Sequence, residues 1–390
     1  MKSVTIGVVP RERFSLAAES LQRIFDCTDV PFNLIVVDCN IPARYRQQMD
    51  EVLNGRSNVK VIRTDEYMLP NRSRNLVIKE ARDEYVLLTE NDVLVKEGWL
   101  TQLVAAIDEH PADVAVPLII EGKIGKGHVH FDDLLGTVQR VETPEGPKWA
   151  IRGRSTAKEK DRGGERRTIE MMEQHCILFR RSALERMGPY DEELNTRDEI
   201  DLSLALFHAG QKVVFEPKCE VHYLPPYPPE DDELDFFYMK WNQERALKSR
   251  ERIREKWNLV QCPGDMSFVK ARNLFGQMSR TGSELKSVVS PGERFILVDA
   301  DWWRGTKIVD GLQAIPFTEH DGKFWGLPAD DASAITELER LRAKDPRFIV
   351  FGWPEYFDWT SQFPGLHGHL NASFPCVLNN ERLLVYELRS

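Results

Sequence analysis

Short apolar runs and amphipathic stretches alternate along the first third of the chain. Val4-Thr5-Ile6-Gly7-Val8-Val9 reads as a buried strand stopped by Pro10, and Leu16, Ala17, Leu21, Ile24 and Phe25 then recur at helical spacing. Phe32 to Val37, closed by Asp38, is a second strand, followed by a helix marked by Tyr45, Met49, Val52 and Leu53. Val59 to Ile62 is a third strand, and Asn71 to Ala81 a third helix with Leu76 and Val77 inward. The rhythm repeats once more: a strand Tyr85-Val86-Leu87-Leu88, a helix carrying Leu100, Leu103, Val104 and Ile107, and a strand Val114-Ala115-Val116. Continuously apolar strands alternating with helices predict an α/β fold, a mostly parallel sheet covered on both faces.

From Glu121 to Thr168 this rhythm is lost, and Gly, Lys, Arg and Glu dominate, as in Gly153-Arg154-Ser155 and the run from Lys158 to Gly164. The stretch reads as a mobile loop near a functional rim or as solvated linker. Ile169 to Phe179 then predicts one strand, Asp198 opens a helix ending at Gly210, and Val213-Val214-Phe215 and Glu220-Val221-His222 predict two short strands. The prolines from Pro225 to Pro229 mark a domain seam. Phe236 to Trp257 reads as one helix whose basic face is interrupted by Glu244, Glu251 and Glu255, the pattern of a solvated, salt-bridged surface. Phe295 to Val298, Phe348 to Phe351 and Leu383 to Tyr386 predict strands, and Ala332 to Ala343 a helix, of a second α/β unit. The expected division is 1–225, a helical linker 226–285, and an accessory domain 286–390.

Composition narrows the function classes. At 390 residues with 42% hydrophobic and 29% charged positions, the chain has the make-up of an ordinary soluble protein of two or three domains. A net charge of -10 argues against a general nucleic-acid binder. No apolar run approaches the roughly 20 residues that span a bilayer, and Met1-Lys2-Ser3 leads directly into a strand pattern without a secretory leader. Six scattered cysteines with no C-x-x-C pair read as reduced thiols, so a cytoplasmic location is expected.

Open parallel sheets bind ligands beyond the carboxyl ends of their strands. Those ends carry Pro10-Arg11-Glu12-Arg13, Asp38-Cys39-Asn40 and Glu90-Asn91-Asp92. Glu90 and Asp92 are two apart, so an extended backbone turns both carboxylates to one side, an oxygen donor set for a divalent cation. A polar turn after a strand is the plainer reading of the same residues.

The order of these motifs resembles the family-2 glycosyltransferases of the GT-A fold, over about Ser3 to Tyr223. The pieces are Val4 to Arg13, Leu34 to Asp38, Asn71-Arg72-Ser73-Arg74-Asn75, Leu88 to Asp92, and Asp198 to Leu202. The resemblance implies sugar transfer, with inversion, from a nucleotide diphosphosugar, a UDP-sugar first, to the hydroxyl of a glycan or other acceptor. It places Asp38 on the base, Pro10, Arg11 and Arg13 along the nucleotide, and Arg74 with Asn91 and Glu90 beside ribose or phosphates. The D-x-D motif falls on Glu90-Asn91-Asp92, with Glu for the first Asp, so Asp92 is the principal ligand for Mn2+ or Mg2+, with Glu90 and His222 beside it. The acidic pair before the late helix, ordinarily Glu-Asp, is Asp198-Glu199 here, which gives Glu199 the place of the catalytic base and Asp198 the flanking one. Helix capping is the structural alternative for that pair. Two rival readings are a sugar nucleotidyltransferase, which would want glycines after the first strand, and a non-catalytic binding protein on the same scaffold.

Overall fold

A computed structural model describes residues 3–130, 136–153, 160, 162–225, 229–303, 306–354 and 356–389, with 307, 356 and 357 described by backbone alone. The chain divides into two compact units between Asn273 and Leu274. The sequence instead places a seam near Pro225 and starts its accessory domain at 286.

The first unit is built on a ten-stranded sheet. Its elements in order are β1 (Val4–Val9), α1 (Ala17–Cys27), β2 (Phe32–Cys39), α2 (Ala43–Leu53), β3 (Val59–Thr64), α3 (Pro70–Glu80), β4 (Tyr85–Glu90), β5 (Val93–Val95), α4 (Trp99–Glu109), β6 (Val114–Glu121) and β7 (His128–Val129). They continue as β8 (Gly136–Val141), β9 (Lys148–Gly153), β10 (Arg167–Ile169), β11 (Cys176–Arg180), α5 (Arg181–Met187), α6 (Asp198–His208), β12 (Val213–Tyr223), α7 (Leu234–Lys240) and α8 (Gln243–Lys256). The strand order is β10-β12-β6-β11-β4-β1-β2-β3, with β5 paired to β12 and β7 to β6. β4, β1, β2 and β3 run parallel, as do β6 and β12, while β11 is inserted antiparallel between β4 and β6. The apolar alternation therefore gives the expected mostly parallel α/β sheet.

Close packing fixes what the strand ends can reach. A β-carbon on Gly7 would meet Val77 Cγ1 at 2.3 Å, so the bare glycine lets α3 lie against β1. Pro70 starts α3 without losing a needed donor, and Arg74 on that helix is 1% exposed beneath the carboxyl ends of the strands.

Four expectations change. Residues 121–168 are not structureless: β7, the β8–β9 hairpin and β10 lie within them, although 131–135, 154–159 and 161 fall outside the described residues. The strand expected over 169–179 is β10 and β11 with a loop between them, because the polar residues Glu173-Gln174-His175 leave the sheet. The two strands expected over 213–222 are one strand with a bulge between Glu216 and Glu220. The helix expected over 236–257 is two, broken where the Asn242 side chain accepts the Arg245 backbone N–H at 2.9 Å and caps α8. The basic face of α8 is ion-paired as expected, with Lys248 on Glu244 and Arg254 on Glu251. Five cysteines are buried, Cys376 is exposed, and all six are thiols.

The division falls within α9 (Ser267–Val288), so the second unit opens on the later part of that helix. It holds β13 (Arg294–Val298), β14 (Gln313–Pro316), β15 (Glu319–His320), β16 (Lys323–Phe324), α10 (Asp331–Arg342), β17 (Phe348–Gly352), α11 (Tyr356–Gln362), α12 (Pro364–Ser373), β18 (Cys376–Asn379) and β19 (Leu383–Glu387). Its main sheet has the order β14-β13-β17-β19-β18. One face packs Leu338, Leu341, Trp359 and Leu366, the other Leu285, Trp303 and Ile308, so Trp303 and Trp359 are core, whereas Trp302 and Trp325 are exposed. Among the described residues no helix is long and apolar enough to cross a membrane.

Candidate active site

A cavity of about 640 Å³ opens at the carboxyl ends of β1, β6 and β12 and the start of α6. Arg11, Glu121, His130, Glu173, His175, Asp198, Glu199, Tyr223, Lys240 and Trp241 lie in its wall. Residues far apart in sequence meet here because several carboxyl strand ends and one helix start share a rim.

Beneath the cavity lies a buried charge network. Arg74 donates from Nη1 to Asp198 Oδ2 at 2.6 Å and to Asn71 Oδ1 at 2.7 Å, and from Nη2 to Glu90 Oε1 at 2.7 Å. Glu90, 1% exposed, also pairs with His175 Nδ1 at 2.7 Å and Arg11 Nε at 3.4 Å. Burial alone would raise the Glu90 carboxyl, but Arg11 and His175 bring it down to about 2. Burial and the Arg11 charge push His175 down to about 4, so the ring is neutral near pH 7. Asp198 is held well below the usual carboxylate range, against its burial, by Lys240 and Arg74.

Asp92 is the opposite case. It is 0% exposed, and among the described residues neither carboxylate oxygen has a hydrogen-bond partner. Burial, then the charges of Glu90 and Glu12, push it well above the usual range. A buried ionised carboxylate without partners is costly, and a cation answers both orphaned oxygens. The residue therefore fits a metal ligand.

The remaining expected residues separate. Glu199 lines the cavity next to Asp198, with its side chain 14% exposed. Asp38 is fully buried but occupied: Oδ1 accepts the Ile41 N–H at 2.9 Å and Oδ2 the Arg46 Nε–H at 2.7 Å. Arg13 is turned onto Ser15 Oγ and the Pro225 carbonyl, and Asn91 donates to the Arg13 carbonyl at 2.7 Å, so both brace the loop after Pro10. Glu90, expected beside the metal, is instead the anion shared by Arg74, Arg11 and His175. His222, also expected there, is not in the cavity wall: its neighbour Tyr223 faces the cavity, and a strand turns adjacent side chains to opposite faces.

Several residues of the site escape sequence reasoning. Glu12, fully buried, accepts from Trp241 Nε1 at 2.8 Å and from the Tyr223 hydroxyl, and pairs with Arg11 at 3.2 Å. Its place in Pro10-Arg11-Glu12-Arg13 at a strand end was the available signal. Tyr223 stacks on His175 at 4.0 Å between ring centroids. Lys240, 2% exposed, lies 3.9 Å from Asp198. His130 and His175 bring imidazoles that no local pattern announces.

Residues 9–188 match the family described as Glycosyl transferase family 2. The Pre-mycofactocin glycosyltransferase of Mycobacterium tuberculosis, in two strains, is 20% identical over 170 residues, which is 44% of this chain and 33% of that protein. The chain thus spans about a third of the length of the curated relatives it matches. Solved structures are similar at 17% identity: GalNAc-T7 with UDP, GalNAc and Mn2+ covers 74% of this chain and 58% of its own at a TM-score of 0.46. S. aureus TarS 1-349 in complex with UDP-GlcNAc covers 74% and 82% at 0.43.

Proposed function

Residues 9–188 form a family-2 glycosyltransferase domain, and from that premise we propose that the protein transfers a sugar, with inversion, from a nucleotide diphosphosugar to an acceptor hydroxyl. The observation that carries this reading is how the acidic pair at the start of α6 divides. Both lie in the cavity wall: Asp198 is bonded to Arg74 at 2.6 Å with Lys240 at 3.9 Å, while Glu199 has Arg197 at 4.0 Å. In this reading Asp198 is the structural anion and Glu199 the carboxylate that takes the proton.

In this reading the acceptor oxygen attacks the anomeric carbon of the donor from the side opposite the diphosphate. The new C–O bond forms as the bond to the diphosphate oxygen breaks, and the acceptor proton passes to Glu199. The leaving group departs as a nucleoside diphosphate, and Arg11 contributes positive charge at the cavity wall. Asp92, whose two carboxylate oxygens lack hydrogen-bond partners among the described residues, would hold a divalent cation, Mn2+ or Mg2+, which when bound would supply positive charge toward the diphosphate. A UDP-sugar is the first donor to test, and the family resemblance assigns Pro10, Arg11 and Asp38 to the nucleotide.

The deciding experiment measures metal-dependent release of nucleoside diphosphate from a panel of UDP- and other nucleotide sugars. Activity that depends on both Glu199 and Asp92 supports the assignment. Undiminished turnover in Glu199→Gln and Asp92→Asn refutes it, and release of pyrophosphate identifies a nucleotidyltransferase instead.

A further inference from the structure

The cavity wall holds a second set of metal-competent donors, of different chemistry from Asp92. His130, Glu173 and His175 each offer one ligand atom, and the three atoms lie within 4.8 Å of one another. We propose that these three residues form a site for a first-row divalent transition cation, with Zn2+ and Co2+ preferred to Mn2+, and Mg2+ excluded.

The first support is which nitrogen each histidine has left to give. His175 Nδ1 is bonded to Glu90 Oε2 at 2.7 Å, and His130 Nδ1 to Glu121 Oε2 at 2.9 Å. In both rings a carboxylate holds the Nδ1 proton, which leaves Nε2 with its lone pair available. Carboxylates behind metal-binding imidazoles commonly fix the tautomer and ring plane in this way. Two independent carboxylate–imidazole pairs whose rings meet at 5.5 Å, edge to face, are more than a chance grouping of polar residues.

The second support is that the rings are held before any ion arrives. The His175 carbonyl accepts from the Glu90 N–H at 3.2 Å and from Thr89 Oγ1 at 3.1 Å, and the ring stacks on Tyr223. His130 donates its backbone N–H to the Ile119 carbonyl at 2.9 Å. Small side-chain rotations then bring three donors to the roughly 2.0–2.2 Å at which zinc binds nitrogen and oxygen. Arg11 lies close, 3.4 Å from His175 Nδ1, but its charge is matched by Glu12 and Glu90. Two imidazoles and one carboxylate favour late first-row cations over the hard, water-retaining Mg2+. Three protein ligands leave a position open to the cavity, where water or a ligand oxygen can bind.

This inference does not rest on the sugar-transfer reading, because the ion alone tests it. Full-length protein is dialysed against a chelator and titrated with Co2+, followed by visible d–d absorption and by calorimetry, with Zn2+, Mn2+ and Mg2+ as competitors. One histidine-dependent site is expected, displaced by Zn2+, weakly by Mn2+ and not by Mg2+. His130→Ala, Glu173→Gln and the partner change Glu121→Gln are each expected to weaken Co2+ binding by roughly tenfold or more, while Asp92→Asn leaves it unchanged. Melting curves establish that each variant is folded, and Glu121→Gln leaves all three ligands in place should His130→Ala fail to fold. Absence of Co2+ binding by the wild type overturns the proposal, as does wild-type affinity in His130→Ala and Glu173→Gln. A loss confined to Asp92→Asn also overturns it and assigns the ion to the site under Proposed function.

Discussion

Arg74 and Asp198 stand 124 positions apart in sequence and share a buried 2.6 Å ion pair. The same guanidinium reaches Glu90 at 2.7 Å, so one side chain on α3 ties the carboxyl end of β4 to the start of α6. Arg74→Ala removes a hydrogen-bonded counterion from two buried carboxylates, leaving Lys240 to Asp198 and Arg11 to Glu90. The expected loss is about 3–5 kcal/mol of unfolding free energy, measured by urea denaturation. Arg74→Lys keeps the charge but loses the fork, and falls between. A loss below about 1 kcal/mol in Arg74→Ala would mean that the network is not a structural hub.

Acid sensitivity follows from the Glu90–His175 pair. His175 titrates near 4 in the folded protein instead of its ordinary 6.5, so the unfolded chain binds its proton first. That contribution is fully present above about pH 6.5 and is lost as the pH falls toward 4. Glu90, lowered from 4.5 to about 2, extends the loss below that range. The bonded pair titrates together, at up to about 1.4 kcal/mol per pH unit for each group. Unfolding free energies measured between pH 7.5 and 3 should decline, and His175→Gln should flatten the upper part of the curve. An unchanged slope in that variant would reject the assignment.

Asp92 has the opposite sign. Its folded-state pKa is raised, so its favourable contribution belongs to low pH and is lost as the pH rises through the folded value. Without a cation, Asp92→Asn is expected to raise the melting temperature at pH 7 while abolishing transfer. A divalent ion that stabilises the wild type by binding it should narrow this difference. A melting temperature for Asp92→Asn below the wild type at every pH would contradict the picture.

For Glu199, the expected signature is kinetic. Glu199→Gln should lower kcat by roughly 100- to 10,000-fold, with KM for the donor little changed and the fold intact by circular dichroism. Equal damage to donor affinity would recast Glu199 as a binding residue.

Gly7→Ala tests the packing that brings α3 under the site. The added methyl meets Val77, a short branched side chain with little freedom to yield. The cost should be about 1–3 kcal/mol, largely relieved when Val77→Ala is combined with it. Additive losses in the double variant would show that the two residues do not share that space.

The alternation of β1, β2, β3, β4 and β6 with their helices was legible because β1, β4 and β6 are buried along nearly their whole length and β2 over most of it, while β3 at the edge keeps a mostly apolar run at Val59 to Ile62. Glu199 and Asp92 could be named as candidates because acids at a helix start and after a strand end are local patterns. What the sequence did not announce depends on long-range partners. Nothing local distinguishes Glu90, locked by Arg74 and His175, from Asp92, whose carboxylate oxygens have no hydrogen-bond partner among the described residues. His130 lies in a segment that reads as loop or linker and Glu173 in one that reads as strand, and only the sheet brings them together. Asp38 ends its strand as expected, yet its occupation by Arg46 and Ile41 depends on how the following loop turns back.

The bulge in β12 has a wider consequence. Val213 to Glu216 pair with Val114 to Pro117, and Glu220 to Tyr223 with Leu118 to Glu121, so the pairing offset passes from 99 to 102. An odd step reverses which face each later side chain meets. Glu216 and Tyr223, an odd seven positions apart, are paired with Pro117 and Glu121, an even four apart, so the bulge lets both meet one face and leaves Tyr223, not His222, at the cavity.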